Sequence, residues 1–440
     1  MLLSWLTPLL ELYIDYRSQF FLLSFSGLPA PTATITSANL PDPLHSTSYN
    51  LQPLAPCDKR TRPNTNIHYP VFTPHSLPMP VGQLRAKGWE RLTACFPDKA
   101  VTFAIRGICR FGARIGYKSV RESPTIYPNL STAEIDIALV TSDITTEMSK
   151  NRLLVYRDEE ALLIHYTASP LGLTDKADGS KRRIHHLSYP VLDTNSINGG
   201  IPEHDATIIY SGISDAIQAI QDMRKYCLLV KRDFESAFRH IPVSPLDSPL
   251  LGFHWKGTYY AESFLPFGLR TAPYLFNLFA EVFHWILEEE LKALGLRVRI
   301  IHYLNDFFMV LPPQASTVQS TTVFTNLCLE VGLSIKESKN EEGTVASFAG
   351  VEFDPSKMVI RLPAKKLLKG QSITECTAEK MSVSLLELQK ITGYLNFVAT
   401  VVPLGRTFLR RLWNMELHFR PGSGHHKRPF SSETRDDLAW

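Results

Sequence analysis

Cysteine is scarce in this 440-residue sequence and nowhere grouped for chemistry. Cys57, Cys95, Cys109, Cys227, Cys328 and Cys376 form no C-x-x-C and no zinc spacing. Few, scattered thiols in a chain of this size argue against a disulfide framework and for a reducing compartment, so an intracellular protein of cytoplasm or nucleus, not a secreted one, is expected. Long apolar runs are lacking too. The opening MLLSWLTPLLELYIDYRSQFFLLSF has no basic n-region, and Pro8, Glu11, Asp15 and Arg17 break it short of the ~20 residues a membrane span needs. No membrane partner is expected. Nor is there a large charge of either sign: the net charge of +3 identifies no partner by itself.

What is present is distributed unevenly. Eleven of the 30 prolines fall between Pro29 and Pro80, among Ser, Thr and Asn, so residues 1–87 read as a largely disordered leader. From Gly88 onward the pattern is globular, and 44% hydrophobic residues can bury a sizeable core. Between Lys357 and Arg420 there are 11 Lys+Arg against 4 Asp+Glu, a basic stretch that suits a phosphate backbone and equally a solvated helix face.

YCLLVKRDF (226–234) reads as a strand. TAPYLFNLFAEVFHWILEEELKALG (271–295) has helical spacing, with Leu275, Phe276, Phe279, Val282, Phe283, Ile286 and Leu287 on one face and Gly295 as its stop. IHYLNDFFMV (301–310) reads as two strands joined by a turn at Asn305-Asp306, residue types that tolerate positive φ. SLLELQKITGYLNFVATVV (384–402) opens with a capping box, Ser384 and Glu387. Together these indicate an α+β fold with an antiparallel core sheet and a mostly helical appendage. Asp233 thus closes one strand and Asp306 sits at a hairpin tip. Either alone would ordinarily be a turn residue; together they could converge on divalent cations, which take hard oxygen ligands.

KRDFESAFRHIPV (231–243), LPFGLRTAPYLFN (265–277), YLND (303–306) and FAGVEFD (348–354) resemble, in order and spacing, the palm motifs of reverse transcriptases. SPLGLTDKADGSKRRIHHLSYP (169–190) and LLELQKITGYLNFVATVVPLGRTFLRRLW (385–413) are similar to the fingers and post-palm segments of DIRS-type retrotransposons, which integrate with a tyrosine recombinase. The resemblance implies a right-hand polymerase: an N-terminal extension and fingers over 88–225, a palm over 226–356, a basic helical thumb or connection over 357–425, and the truncated start of a ribonuclease-H-like region over 426–440. It implies RNA-directed DNA synthesis on a primed RNA or DNA template from dNTPs, with two Mg²⁺ ions, or Mn²⁺ in their place. Asp233, Asn305 and Asp306 would be the catalytic positions, and Asp233, the Phe234 carbonyl and Asp306 the metal ligands. Lys176, Arg182, Phe238, Pro266, Phe267 and Gly268 would bind the nucleotide. Phe348, Ala349 and Gly350 would support the primer, and Lys365, Lys366, Arg410 and Arg411 would meet the nucleic-acid backbone.

The sequence departs from that family at instructive places. Its hairpin motif is Y-x-D-D, and this chain has Asn305 at the first acid. Asn keeps the size and a carbonyl oxygen but removes a negative charge, and losing one preorganised electrostatic group commonly costs about 10²–10³ in rate. His186 stands where the fingers motif has Asp, and Ala349 where Leu is usual. A degenerate or partial copy with impaired activity is therefore expected. The alternative is a non-catalytic nucleic-acid-binding remnant that keeps the fold and the basic surface.

Overall fold

The apolar pattern of 271–295 closes into the helix Ala272–Ala293, begun by Pro273 near its N-terminus and ended before Gly295, whose φ is +71°. It is buried along most of its length, and with it Phe234, Phe276, Phe283, Phe307 and Phe324 form an edge-to-face and stacked aromatic core. Burying one such ring contributes roughly 1.5–3 kcal/mol. The uninterrupted apolar strand Asp306–Leu311 is explained by the same core, since Phe307 to Leu311 are all buried. This is a computed structural model, and it describes residues 48–50, 66–156, 165–176, 179–191, 193–402, 405–419 and 426–439. Most of the expected leader, with Cys57, lies outside the described residues. Residues 66–85, which composition assigned to that leader, are largely without helix or strand, yet Tyr69 and Val71 are buried.

The chain divides into two compact units. Of the described residues, the larger takes 66–156, 165–176, 179–191, 193–219 and 229–342. It holds a four-stranded sheet in the order Arg299–Tyr303, Asp306–Leu311, Leu228–Asp233, Glu341–Gly343. A second sheet of five short strands runs Thr125–Ile126, Thr167–Ala168, Gly252–Trp255, Thr258–Glu262, Leu153–Tyr156. A separate antiparallel hairpin pairs Leu171–Asp175 with Lys181–His185.

Of the described residues, the smaller unit takes 48–50, 220–228, 343–402, 405–419 and 426–439. Its sheet orders Ser48–Asn50, Val359–Arg361, Val351–Asp354 and Ala346–Phe348. Four helices follow: Ala364–Ala378, Leu385–Val398, Gly405–Leu417 and Ser432–Ala439. The second carries the expected capping box. The hairpin 346–354 groups with the helical unit. In residues 426–439, Lys427–Pro429 pairs with Ser382–Ser384, and Phe430 and Leu438 join Val383, Leu388, Leu409 and Leu412 in one core. Strand pairing and apolar burial tie this end of the described chain into the helical unit. Among the described residues no helix is long and apolar enough to cross a membrane.

Candidate active site

Asp233 closes its strand and Asp306 opens the neighbouring one, so both lie at one end of the four-stranded sheet. The hairpin register pairs Tyr303 with Asp306, leaving Leu304 and Asn305 as the connecting residues. Leu304, not Asn305 or Asp306, carries the positive φ, at +51°. The turn therefore does not draw on the tolerance of Asn or Asp for positive φ, and Asn305 is distinguished by its side chain.

That side chain is fully engaged. Asn305 Nδ2 donates to Asp233 Oδ2 at 2.9 Å and to the Phe234 carbonyl at 3.4 Å, while the backbone carbonyl of Asn305 accepts from Phe234 N at 3.0 Å. Both partners of the amide nitrogen can only accept, so the amide must present its NH₂ and not its oxygen to them. Lys339 Nζ donates to the same Asp233 Oδ2 at 2.9 Å. Asp233 is almost wholly buried, and an unpaired carboxylate there would be costly; the amide and the ammonium offset that cost. Two acceptors that a divalent ion would use, the Asp233 carboxylate and the Phe234 carbonyl, are thus held by an amide.

Asp306 behaves differently. Its Oδ1 is buried without a hydrogen-bond partner. Burial pushes its pKa up to about 6, the Lys231 ammonium opposes this, and the Asp233 carboxylate raises it further. The floor beneath the site is tightly tied. Lys336 N donates to the Asp233 carbonyl at 2.7 Å, Glu235 N to the Ser334 carbonyl at 2.8 Å, and Ser334 N to His240 Nε2 at 3.0 Å. Lys231 pairs with Glu341 at 3.2 Å, and Arg232 pairs with Glu342. Two carboxylates, the Phe234 carbonyl and, after a flip, the Asn305 carbonyl supply hard oxygens suited to one small dication. Among the described residues no cluster of three or more His, Cys, Asp or Glu side chains is arranged to hold a metal ion.

Of the other residues singled out from sequence, Phe238 and Phe267 come together, with ring centroids 5.2 Å apart. Phe267 is 58% exposed, whereas Pro266 is buried. Gly268 has φ +93°, and a Cβ there would stand 3.1 Å from the His185 carbonyl. Lys176 and Arg182 are exposed on one hairpin, where Arg182 faces Thr174. His186 is buried beside Tyr189, its Nε2 unpartnered and its pKa lowered by burial.

The remaining residues singled out from sequence lie in the smaller unit. Phe348 is wholly buried, so its ring is a core element beneath the hairpin. Lys366 is committed within its own unit, donating to the Gly350 carbonyl at 2.9 Å and lying 4.5 Å over the Phe397 ring. Arg411 pairs with Asp437 at 2.6 Å. Lys365 and Arg410 are exposed. Sequence reasoning missed Lys339 and His240. For His240 a signal existed, since a histidine inside the apolar FRHIPV has to be neutral and hydrogen-bonded when buried. Lys339 looked like any surface lysine, and only the fold brings it to Asp233.

The reverse transcriptase (RNA-dependent DNA polymerase) family model matches residues 180–366. No curated protein matches the sequence. Among solved structures the chain is similar to the foamy viral protease-reverse transcriptase dRH in complex with double-stranded DNA, with TM-score 0.52 and 16% identity over 84% of this chain and 61% of that one. It is also similar to the foamy viral protease-reverse transcriptase in complex with RNA/DNA hybrid, with TM-score 0.51 and 17% identity over 84% of this chain and 47% of that one. The chain thus spans roughly half to three-fifths of those two molecules. At such identities the likeness is one of fold.

Proposed function

We propose, from the match of the reverse transcriptase family model over residues 180–366, that the chain is an RNA-directed DNA polymerase whose reaction is slowed by Asn305. In that reaction a primer 3′-hydroxyl attacks the α-phosphate of a dNTP and pyrophosphate leaves. The observation that carries this reading is the meeting of Asp233 and Asp306 at one sheet end, with a buried, unpartnered Asp306 oxygen beside Asp233.

Asp233, Asp306 and the Phe234 carbonyl would hold Mg²⁺, or Mn²⁺ in its place. When bound, the ions would lower the pKa of the attacking hydroxyl and neutralise charge on the leaving group. The chain's own residues do the rest. The Phe238–Phe267 pair offers an apolar surface to sugar and base, and the bulk of Phe238 leaves little room for a 2′-hydroxyl. Arg182, exposed on its hairpin, supplies a fixed planar cation for the triphosphate, and Lys176 a mobile one. Lys365 and Arg410, exposed on the helical unit, would suit a phosphate backbone. By its motifs the domain is that of a DIRS-type retrotransposon, acting inside the cell on a primed template.

A second reading is favoured by one specific observation. Asn305 and Lys339 satisfy Asp233 without any ion, as a non-catalytic nucleic-acid-binding remnant would require. Primer extension with and without Mg²⁺, beside primer–template binding on the same preparation, separates the two. Mg²⁺-dependent extension establishes the polymerase; binding with no extension, even after Asn305→Asp, establishes the remnant.

A further inference from the structure

Asn198 lies in SINGG, a stretch that reads as an ordinary turn, yet only 3% of it is exposed. Its side chain is used completely. Nδ2 donates to Ser188 Oγ and to the Gly268 carbonyl, each at 2.8 Å, and Oδ1 accepts from Arg270 N at 2.8 Å. Its backbone N donates to the Leu187 carbonyl at 3.0 Å. One residue therefore joins two segments far apart in sequence. On one side is the chain leaving the strand Lys181–His185, which carries Arg182. On the other is the turn Pro266-Phe267-Gly268, which presents Phe267 to Phe238.

We propose that Asn198 is a positioning residue for the incoming nucleotide, fixing the distance between the Arg182 strand and the Phe267 turn. The inference rests on the polymerase reading above. A nucleotide gripped by Arg182 at its triphosphate and by Phe238 and Phe267 at its sugar and base spans the gap that Asn198 sets. Gly268 lies close to the same strand: a Cβ there would stand 3.1 Å from the His185 carbonyl, a tight contact, and its φ of +93° favours glycine. The turn's other lateral tie, Arg270 Nη1 to the Ile201 carbonyl at 2.9 Å, comes from the same 198–201 loop. No other side chain donates to the Gly268 carbonyl among the described residues. Removing the Asn198 donor takes the side-chain tie from that carbonyl and leaves the turn held laterally by the Arg270–Ile201 bond, a looser seat for Phe267.

Asn198→Asp is the sharpest test, because it keeps size and shape but sets a carboxylate oxygen against the Gly268 carbonyl. The full chain is bound to a primer–template whose primer ends in a dideoxynucleotide, with Ca²⁺ present, so affinity is read without bond formation. dATP opposite template dT is the probe. Asn198→Asp is expected to weaken dATP binding tenfold or more while primer–template affinity stays within twofold, so that discrimination against unpaired dGTP falls. Ser188→Ala, which removes one of the two acceptors, is expected to weaken dATP about threefold, and it decides the matter if Asn198→Asp does not fold. Unchanged dATP affinity in the folded variants overturns the proposal. So does an equal loss of dATP and primer–template binding, which would make Asn198 a residue of the fold alone. A wild-type complex that binds primer–template but no templated dATP overturns the polymerase reading itself, and the role of Asn198 with it.

Discussion

Two tight hairpins in this molecule solve the same geometric problem with opposite residues. At 349–350 the connecting pair is Ala-Gly, both with positive φ, +49° and +83°. This is the conformation that a two-residue connection between twisted strands prefers, and a Cβ at Gly350 would also displace the end of the Lys366 side chain, whose Nζ lies 2.1 Å from that position. At 304–305 the pair is Leu-Asn, and the left-handed residue is the leucine. The first hairpin is chosen for its backbone. The second tolerates a costly backbone so that Asn305 can aim its side chain at Asp233, and such strain gathers where function over-determines geometry. On the proposed polymerase reading Asn305 is an altered ligand position, and this hairpin should respond to charge where the other responds to shape.

The largest expected effect tests that contrast directly. Asn305→Asp leaves the turn alone, since Leu304 carries the left-handed conformation. It removes the amide that occupies Asp233 and the Phe234 carbonyl and restores a negative charge. Mg²⁺ affinity and primer-extension rate should rise together, the rate by about 10²–10³. The metal-free variant should melt slightly lower, because three carboxylates then crowd one site. Isothermal titration with Mg²⁺ and single-turnover extension measure the two quantities independently. A rate that rises while Mg²⁺ affinity stays fixed would break the comparison.

Next in size is a pH effect from the floor beneath the same hairpin. Ser334 N donates to His240 Nε2, so that nitrogen must be unprotonated and Nδ1–H faces the Ala237 carbonyl at 3.1 Å. Burial lowers the His240 pKa to about 4. The unfolded chain takes up its proton near pH 6.5 and the folded one only near 4. Stability from this group is therefore complete above about 6.5 and is lost as pH falls toward 4, by about 3 kcal/mol in all. Chemical denaturation at pH 7 and pH 4.5, compared between wild type and His240→Gln, should show a smaller pH dependence in the variant. The other hairpin has no counterpart to this support.

How much of this was legible follows from the range of each interaction. The helix 272–293, the capping box at Ser384 and the strand ends at Asp233 and Asp306 are written in local spacing, and the sequence motifs placed them. The φ of Leu304 was not legible, because residue preference favours Asn for such a conformation and the packed sheet overrode it. Lys339, Asn198 and the burial of Phe348 depend on contacts between residues far apart in the chain, which no local pattern encodes. Lys366 and Arg411 looked like free cations because charge counts do not show partners. Their engagement narrows the expected salt effect: Lys365→Gln with Arg410→Gln should flatten the salt dependence of primer–template binding by about two phosphate contacts, and the Lys366 and Arg411 variants by less.

Gly350→Ala comes next and tests shape at the second hairpin. Alanine at φ +83° costs roughly 1–2 kcal/mol from the left-handed backbone alone, and the new methyl must also displace the Lys366 ammonium from the Gly350 carbonyl. A loss of about 2 kcal/mol by denaturant midpoint is expected, with Mg²⁺ affinity at Asp233 unchanged.

The smallest effect is the most discriminating, because it asks whether the strain at Leu304 is real. Leu304 is only half-buried, so little apolar contact is lost on replacing it with Asn, the non-glycine residue that best tolerates the left-handed region. Two terms then oppose each other. Relief of the backbone should return about 1 kcal/mol, and loss of partial burial should take back a few tenths to about 1 kcal/mol. Leu304→Asn should therefore be neutral to slightly stabilising, whereas Leu304→Ala, which loses the contact without gaining the tolerance, should be destabilising by a similar small amount. The ordering of the pair carries the test, since both lose the leucine side chain and differ chiefly in backbone preference. If Asn is no better than Ala at 304, the left-handed conformation is not being resisted there. The contrast between a hairpin built for its backbone and one bent to serve a side chain would then lose its energetic basis.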